Sequence, residues 1–266
     1  MGAFPGMAWR QCHFPVFLPV MLKLVLHGFL ILAVGSGLVM MGISYAHEGS
    51  WRTASRASAG IAPDPAEVKE AVVQVYAARA WSWRGAFGVH TWIAVKPTDA
   101  IEYTVYEVIG WRARAGLPVV SISTDRPPDG RWFGNMPDLL VDLRGEGVDD
   151  IIAEINSAAH SYPYPDNYTV WPGPNSNTFV AHVAREVPAL RLDLPPTAIG
   201  KDYLNNGKFM DETPSNTGYQ VSLYGLLGVL VGAEEGLEVN VLGLTFGIDP
   251  KDVALKLPMI GRIGGD

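Results

Sequence analysis

The pattern of apolar and polar positions divides the chain into an uncharged N-terminal run and a longer stretch of mixed periodicity. Residues 24–46 read LVLHGFLILAVGSGLVMMGISYA, 23 residues without a charge, in which only His27, Ser36, Ser44 and Tyr45 are clearly polar. At about 1.5 Å per residue such a helix crosses a hydrocarbon core of roughly 30 Å, and it is apolar on all sides. The run is expected to be a transmembrane signal anchor, or a signal peptide cut at the small-x-small sequence Ser44-Tyr45-Ala46. Residues 1–23 are then an N-terminal tail, and the Ser-, Ala-, Gly- and Arg-rich residues 47–63 a linker.

Residues 64–266 carry the periodicities of one α+β domain. Asp64-Pro65-Ala66-Glu67 has the sequence of a helix start, and Val68, Val72, Val75 and Ala78 form an apolar face at helical spacing, predicting a helix that ends near Trp81. Two β-branched and aromatic runs follow, FGVHTWIAVK (87–96) and IEYTVYEVIGW (101–111), joined by a turn at Pro97-Thr98-Asp99-Ala100. Residues 117–123 predict a third strand and 125–135 a loop; Asp125, Asp129 and Arg131 could form a polar loop at a cleft, but loops of Asp, Pro and Gly are commonly plain turns. Residues 148–160 predict a helix with Ile151, Ile152, Ile155 and Ala158 on one side. Residues 162–166 break it, 168–171 form a short strand, Pro172-Gly173-Pro174 a turn, and 177–186 a helix ending before Pro188. Beyond Leu190, many glycines stand among apolar residues over 218–249, and LEVNVLGLTFG (237–247) looks like strand. The apolar stretch 223–231 is too short to span a bilayer and reads either as a buried strand or as a membrane-facing surface.

Charge and cysteine content narrow the function classes. The net charge is −7, charged residues make up 18 % of the chain, and no Lys/Arg cluster occurs, which disfavours nucleic acid as a partner. The one cysteine, Cys12, precedes the apolar run, so the domain has no disulfide, no Cys-based zinc site and no cysteine nucleophile. His160 and His182 lack metal-ligand spacing, and there is neither a phosphate-cradling glycine motif nor a Gly-x-Ser-x-Gly elbow. No metal and no cofactor are expected.

Three residues could carry chemistry. A tight turn at 97–100 sets His90 opposite Glu107 on one face of the hairpin, where a carboxylate would orient the imidazole and raise its basicity. A slip of one residue would put Val108 or Tyr106 there instead. Ser176 stands where a turn feeds a helix, close to backbone N–H groups that have no partner within the helix and could stabilise an oxyanion. Each residue also has an ordinary role: an Asn or Ser at a helix start is commonly a cap, and a strand His or Glu commonly a packing or surface residue.

The order His90-Thr91-Trp92-Ile93-Ala94-Val95, a second strand, a helix and then Asn175-Ser176-Asn177-Thr178-Phe179 resembles the circularly permuted papain-like (NlpC-type) hydrolases, among them the lecithin:retinol acyltransferase-like proteins. Those carry a His on an early strand and an Asn-Cys-x-x-Phe motif opening a later helix. The likeness covers residues 85–187, leaves 188–266 as an extension, and puts Ser176 where those proteins keep cysteine. A serine needs a well-placed base far more than a thiol does. The runs WPGPNSNTFVAHVAREVP, LPPTAIGKDYL and EGLEVNVLGLTFGID resemble, over most of 85–266, a bacterial family catalogued as domain of unknown function 3750, to which no activity is attached.

These likenesses imply a protein of the bacterial inner membrane with its domain in the periplasm, or a secreted one if cleaved after Ala46. The expected activity is a serine-variant papain-like hydrolase or acyltransferase acting on an amide or ester in cell-wall peptide or lipid. In it Ser176 is the nucleophile, His90 the base and Glu107 its orienter, with Asn175, Asn177 and Trp92 binding substrate. The alternative is a catalytically inactive envelope protein that binds a peptide, lipid or partner protein in the same cleft. The sequence leaves the oligomeric state open.

Overall fold

A computed structural model describes residues 50–265 and a few helical positions between 23 and 42. The predicted membrane segment, 24–46, lies for the most part outside the described residues. Among the described residues no helix is long and apolar enough to cross a membrane.

The first of two antiparallel sheets has five strands: β1 (Val72–Arg79), β2 (Val89–Lys96), β3 (Thr104–Val108), β4 (Val120–Ser123) and β5 (Pro137–Arg144), in the order β4-β3-β2-β1-β5. The predicted α+β class with an antiparallel sheet agrees with this. The helix predicted from Asp64 does not form. Asp64 caps a single turn, accepting at Oδ1 from the Ala66 N–H at 2.8 Å, and residues 72–79 then continue as β1. The strand is buried on both faces, so its sequence VVQVYAAR shows no polar alternation, and its valines fall at helical spacing by coincidence. Strand β5 had no counterpart in the sequence reading, and the strand expected at 168–171 is irregular chain.

The two faces of this sheet have different covers. On one side Val73, Val75, Ile93 and Val95 pack under the helices α2 (Val148–His160) and α3 (Ser176–Glu186), which follow a one-turn helix, α1 (Gly110–Arg114). Helix α2 matches its predicted bounds. It turns Val148, Ile152, Ile155 and Ala159 to the sheet, each fully buried branched side chain contributing about 1.5–3 kcal/mol. On the other side Val72, Tyr76, Trp92, Ala94 and Val105 lie under Ile61, Ala62 and Trp132.

That second cover corrects the linker. Residues 55–62 are a strap paired with the 129–135 loop: Ala59 N–H donates to Asp129 O at 3.2 Å, Arg131 N–H to Ala57 O at 3.0 Å, and Gly134 N–H to Ser55 O at 2.8 Å. The buried Asp129 carboxylate fastens the strap, Oδ2 accepting from the Ser58 hydroxyl and from the Ile61 and Ala62 N–H groups. The sequence around Asp129 favours a plain turn. Its role depends on a strap 67–71 residues earlier in the chain.

The second sheet is a seven-stranded meander: β6 (Met210–Glu212), β7 (Gly218–Leu223), β8 (Leu227–Gly232), β9 (Gly236–Val241), β10 (Leu244–Asp249), β11 (Ala254–Leu257) and β12 (Gly261–Ile263). The strand expected over 237–247 is two strands, turned at Leu242-Gly243 with φ of 54° and 82°. The stretch 223–231 is the end of β7, a turn and most of β8. This sheet is inverted. Gln220, Glu238, Asn240, Thr245, Asp249 and Lys256 are buried beneath it, whereas Tyr219, Val231, Leu237, Ile248, Leu255 and Ile263 form a cross-strand row exposed to solvent. The inner face docks on residues 185–205 through ions. Lys201 pairs with Glu238, and Lys256 Nζ reaches Glu238 at 2.8 Å and Asp193 at 2.7 Å.

Candidate functional site

Strand pairing decides which predicted site residues meet. In the β2–β3 ladder Ile93 pairs with Tyr106, so the register lies two residues from the predicted one. The turn is longer than expected, strand resuming only at Thr104. A two-residue shift preserves which face each side chain takes. His90 and Glu107 therefore still meet, on the diagonal rather than directly opposite: His90 Nε2–H donates to Glu107 Oε2 at 2.9 Å.

Arg126 completes the cluster. Its Nη1 donates to the same Glu107 oxygen at 2.8 Å and its Nη2 to Gly130 O at 3.2 Å. His90 and Glu107 are both buried, at 6 % and 3 % exposure. Burial pushes the His90 pKa below the ordinary imidazole value, Arg126 adds to this, and the Glu107 hydrogen bond and charge oppose it only in part. Burial alone would raise the Glu107 carboxyl, but hydrogen bonds and charge from His90 and Arg126 outweigh it and hold the group below the usual carboxylate range. The neutral imidazole, ionised carboxylate and guanidinium form a satisfied chain of charge-assisted bonds.

An aromatic stack runs through this cluster. The His90 ring lies 3.6 Å from Trp132 at an interplanar angle of 16° and 5.7 Å from Trp92 at 25°. Tyr76 continues the stack inward behind Trp92, and Trp111 continues it outward beyond Trp132 at 5.9 Å. Arg126 sits over the Trp92 ring at 4.7 Å. The stack reaches solvent at Trp111, which is half exposed, and Phe133 stands edge-on to both Trp111 and Trp132.

Ser176 is elsewhere. Along β2 successive side chains alternate in direction. His90 and Trp92 point to the strap side, and Thr91 points to α3, where its hydroxyl lies 3.3 Å from Ser176 O and 3.0 Å from Asn177 Oδ1. Among the described residues no hydrogen bond joins Ser176 to His90 or to Glu107. The expected nucleophile and base thus lie on opposite faces of the sheet, which corrects the predicted triad.

The three residues expected to bind substrate are occupied by the fold. Asn175 caps α3, its Oδ1 accepting from the Asn177 and Thr178 N–H groups and its Nδ2 donating to Val170 O and Ile199 O. Asn177 Nδ2 donates to Val89 O and Ile199 O. Trp92 is wholly buried, with Nε1 donating to Pro128 O at 2.7 Å. Gly200 makes room for this cap: its φ is +100°, and a Cβ there would lie 2.4 Å from Asn175 Nδ2. Arg126 and Trp132, which the sequence reading left inside a loop, are the residues it missed. The only signal was Trp-Phe within a polar turn sequence. Among the described residues no group of three or more His, Asp or Glu side chains is arranged to hold a metal ion.

The fold and cluster define an antiparallel α+β domain with a second, inverted sheet, organised around a buried His–Glu pair joined by Arg126. The model of the family described as "Protein of unknown function (DUF3750)" matches residues 70–203, and the chain belongs to that family. The match runs from the start of β1 through α3 to the segment beneath the second sheet. No curated protein and no solved structure matches the chain.

Proposed function

We propose that this is a cell-envelope protein, held at the bacterial membrane through residues 24–46 with its domain outside the cytoplasm, and that the domain works by binding rather than by acyl transfer. The observation that carries this reading is the separation of His90 from Ser176 by the thickness of the first sheet. A hydroxyl nucleophile requires a base within hydrogen-bond reach. The side chain that faces Ser176 from β2 is Thr91, which is no base. On this reading residues 85–187 keep the strand-then-helix order of a permuted papain-like frame without its catalytic pair.

The ligand surface is the outer end of the aromatic stack, Trp111, Trp132 and Phe133. Flat apolar rings backed by a partly buried cation suit the apolar face of a sugar ring or of a proline or aromatic side chain, groups found in envelope glycans and peptides. The test is a fluorescence titration of the full chain in detergent with cell-wall muropeptides. Saturable quenching that weakens at least tenfold in Trp111→Ala, and persists in Trp83→Ala, supports the reading. Absence of saturable binding, or equal binding by both variants, overturns it.

A further inference from the structure

The outer face of the β6–β12 sheet is apolar in three parallel rows. Beside the row from Tyr219 to Ile263 lie Val221, Val229 and Val239, then Leu223, Leu227 and Val241, all turned outward. Together the outward apolar side chains expose on the order of 1,000 Å². That exceeds the few hundred Å² of a typical monomer's largest patch and reaches the ~800 Å² each partner contributes to a standard interface. The charged side chains of the central strands, Glu238, Asp249 and Lys256, are turned inward, where they are paired.

We propose that a second copy of this chain covers this face, the two β6–β12 sheets packing against each other about a two-fold axis. Rows of Val, Leu and Ile on a sheet are the surface that the inner faces of a β-sandwich present to each other, and a face of this kind is complementary to itself. Association by the edges is impeded, because both edge strands, β6 and β12, are three residues long and carry Asp211, Glu212 and Arg262.

A lipid surface fits less well. No Lys or Arg stands among the outward rows, and residues 208–266 hold eight acidic against four basic side chains, the wrong balance for an anionic bilayer. The strap leading from the N-terminal segment lies on the far side of the first sheet, whereas the second sheet is attached on the α3 side, through Arg185 and residues 190–205. The dimer leaves both Trp111 surfaces outside the interface.

The experiment is native mass spectrometry of the full chain released from detergent, with Val239→Glu at the centre of the face. It is paired with disulfide trapping of Val239→Cys in a Cys12→Ser background. The expected results are a dimer that becomes monomeric in Val239→Glu with its thermal melt retained, and a cross-link through Val239→Cys but not through the exposed α2 control Glu154→Cys. If Val239→Glu does not fold, the cross-link alone decides. A monomeric parent chain overturns the proposal, as does a dimer that survives Val239→Glu without a Val239→Cys cross-link. A monomer whose flotation with neutral phospholipid vesicles is lost in Val239→Glu also overturns it and assigns the face to lipid.

Discussion

His90 and Ser176 lie on opposite faces of the same sheet. His90 Nε2 is bonded to Glu107 at 2.9 Å under the strap, while the Ser176 carbonyl lies 3.3 Å from the Thr91 hydroxyl beside α3. One residue along β2 separates the two environments, because a strand turns neighbouring side chains in opposite directions. The account of function follows from that alternation.

The His90–Glu107–Arg126 chain is expected to be structural as well as a backing for the aromatic stack. Glu107→Ala leaves the Arg126 guanidinium and the His90 N–H without their carboxylate, and should cost about 3–5 kcal/mol in urea unfolding. Glu107→Gln keeps one acceptor and should cost less. A loss below ~1 kcal/mol for the alanine variant would mean that the cluster is open to water.

Stability should fall as the pH drops through the ordinary imidazole range. Burial lowers the pKa of His90 and of His182 in the folded chain, so below about 6.5 the unfolded chain binds protons that the folded chain refuses. Between the two pKa values the unfolded state holds more protons, and stability rises with pH across that window. Thermal melts from pH 5 to 8 should show this slope, and His90→Gln or His182→Gln should each remove part of it. Glu107, held below its usual range, adds a further loss at still lower pH.

How much of this was legible in the sequence depends on whether the deciding contacts were local. Helix α2 was read to the residue because its apolar stripe is one-sided and its boundaries are local. The His90–Glu107 contact survived a wrong register because the error was two residues, and an error of one would have lost it. Strand β1 was misread because burial on both faces erases the period-two signal, and Asp64-Pro65 offered a convincing local cap. The separation of His90 from Ser176 had a faint signal: His90 and Thr91 are adjacent in a strand, so only one of them can face a given helix. Nothing local indicated which one. The glycine-punctuated apolar residues of 218–249 were visible, but a sequence does not say which face of a sheet is covered.

The cap on α3 depends on Gly200. Alanine there would be strained at φ +100° and would collide with the Asn175 side chain. Gly200→Ala should cost at least the roughly 1–2 kcal/mol of losing a helix cap, with further loss from the clash. Asn175→Ala in the same background should then cost less than in the parent chain, and full additivity of the two changes in urea unfolding would contradict the contact.

The second sheet is held by buried ions. Glu238→Gln leaves Lys201 and Lys256 short of their shared carboxylate and should destabilise by about 3–5 kcal/mol. Asp193 and Asp202 retain some compensation for these lysines, so Glu238→Leu should be worse than Glu238→Gln, and equal melting temperatures for the two would contradict the network.

The central claim, a binding domain without a Ser176–His90 pair, is tested most directly by intact-mass analysis of the full chain after exposure to a fluorophosphonate probe. The account predicts no adduct on Ser176 in the parent chain or in His90→Ala, and an intact mass for the parent chain no different in its labelling from that of Ser176→Ala. A stoichiometric adduct mapped to Ser176 in the parent chain, abolished by both substitutions, would contradict it.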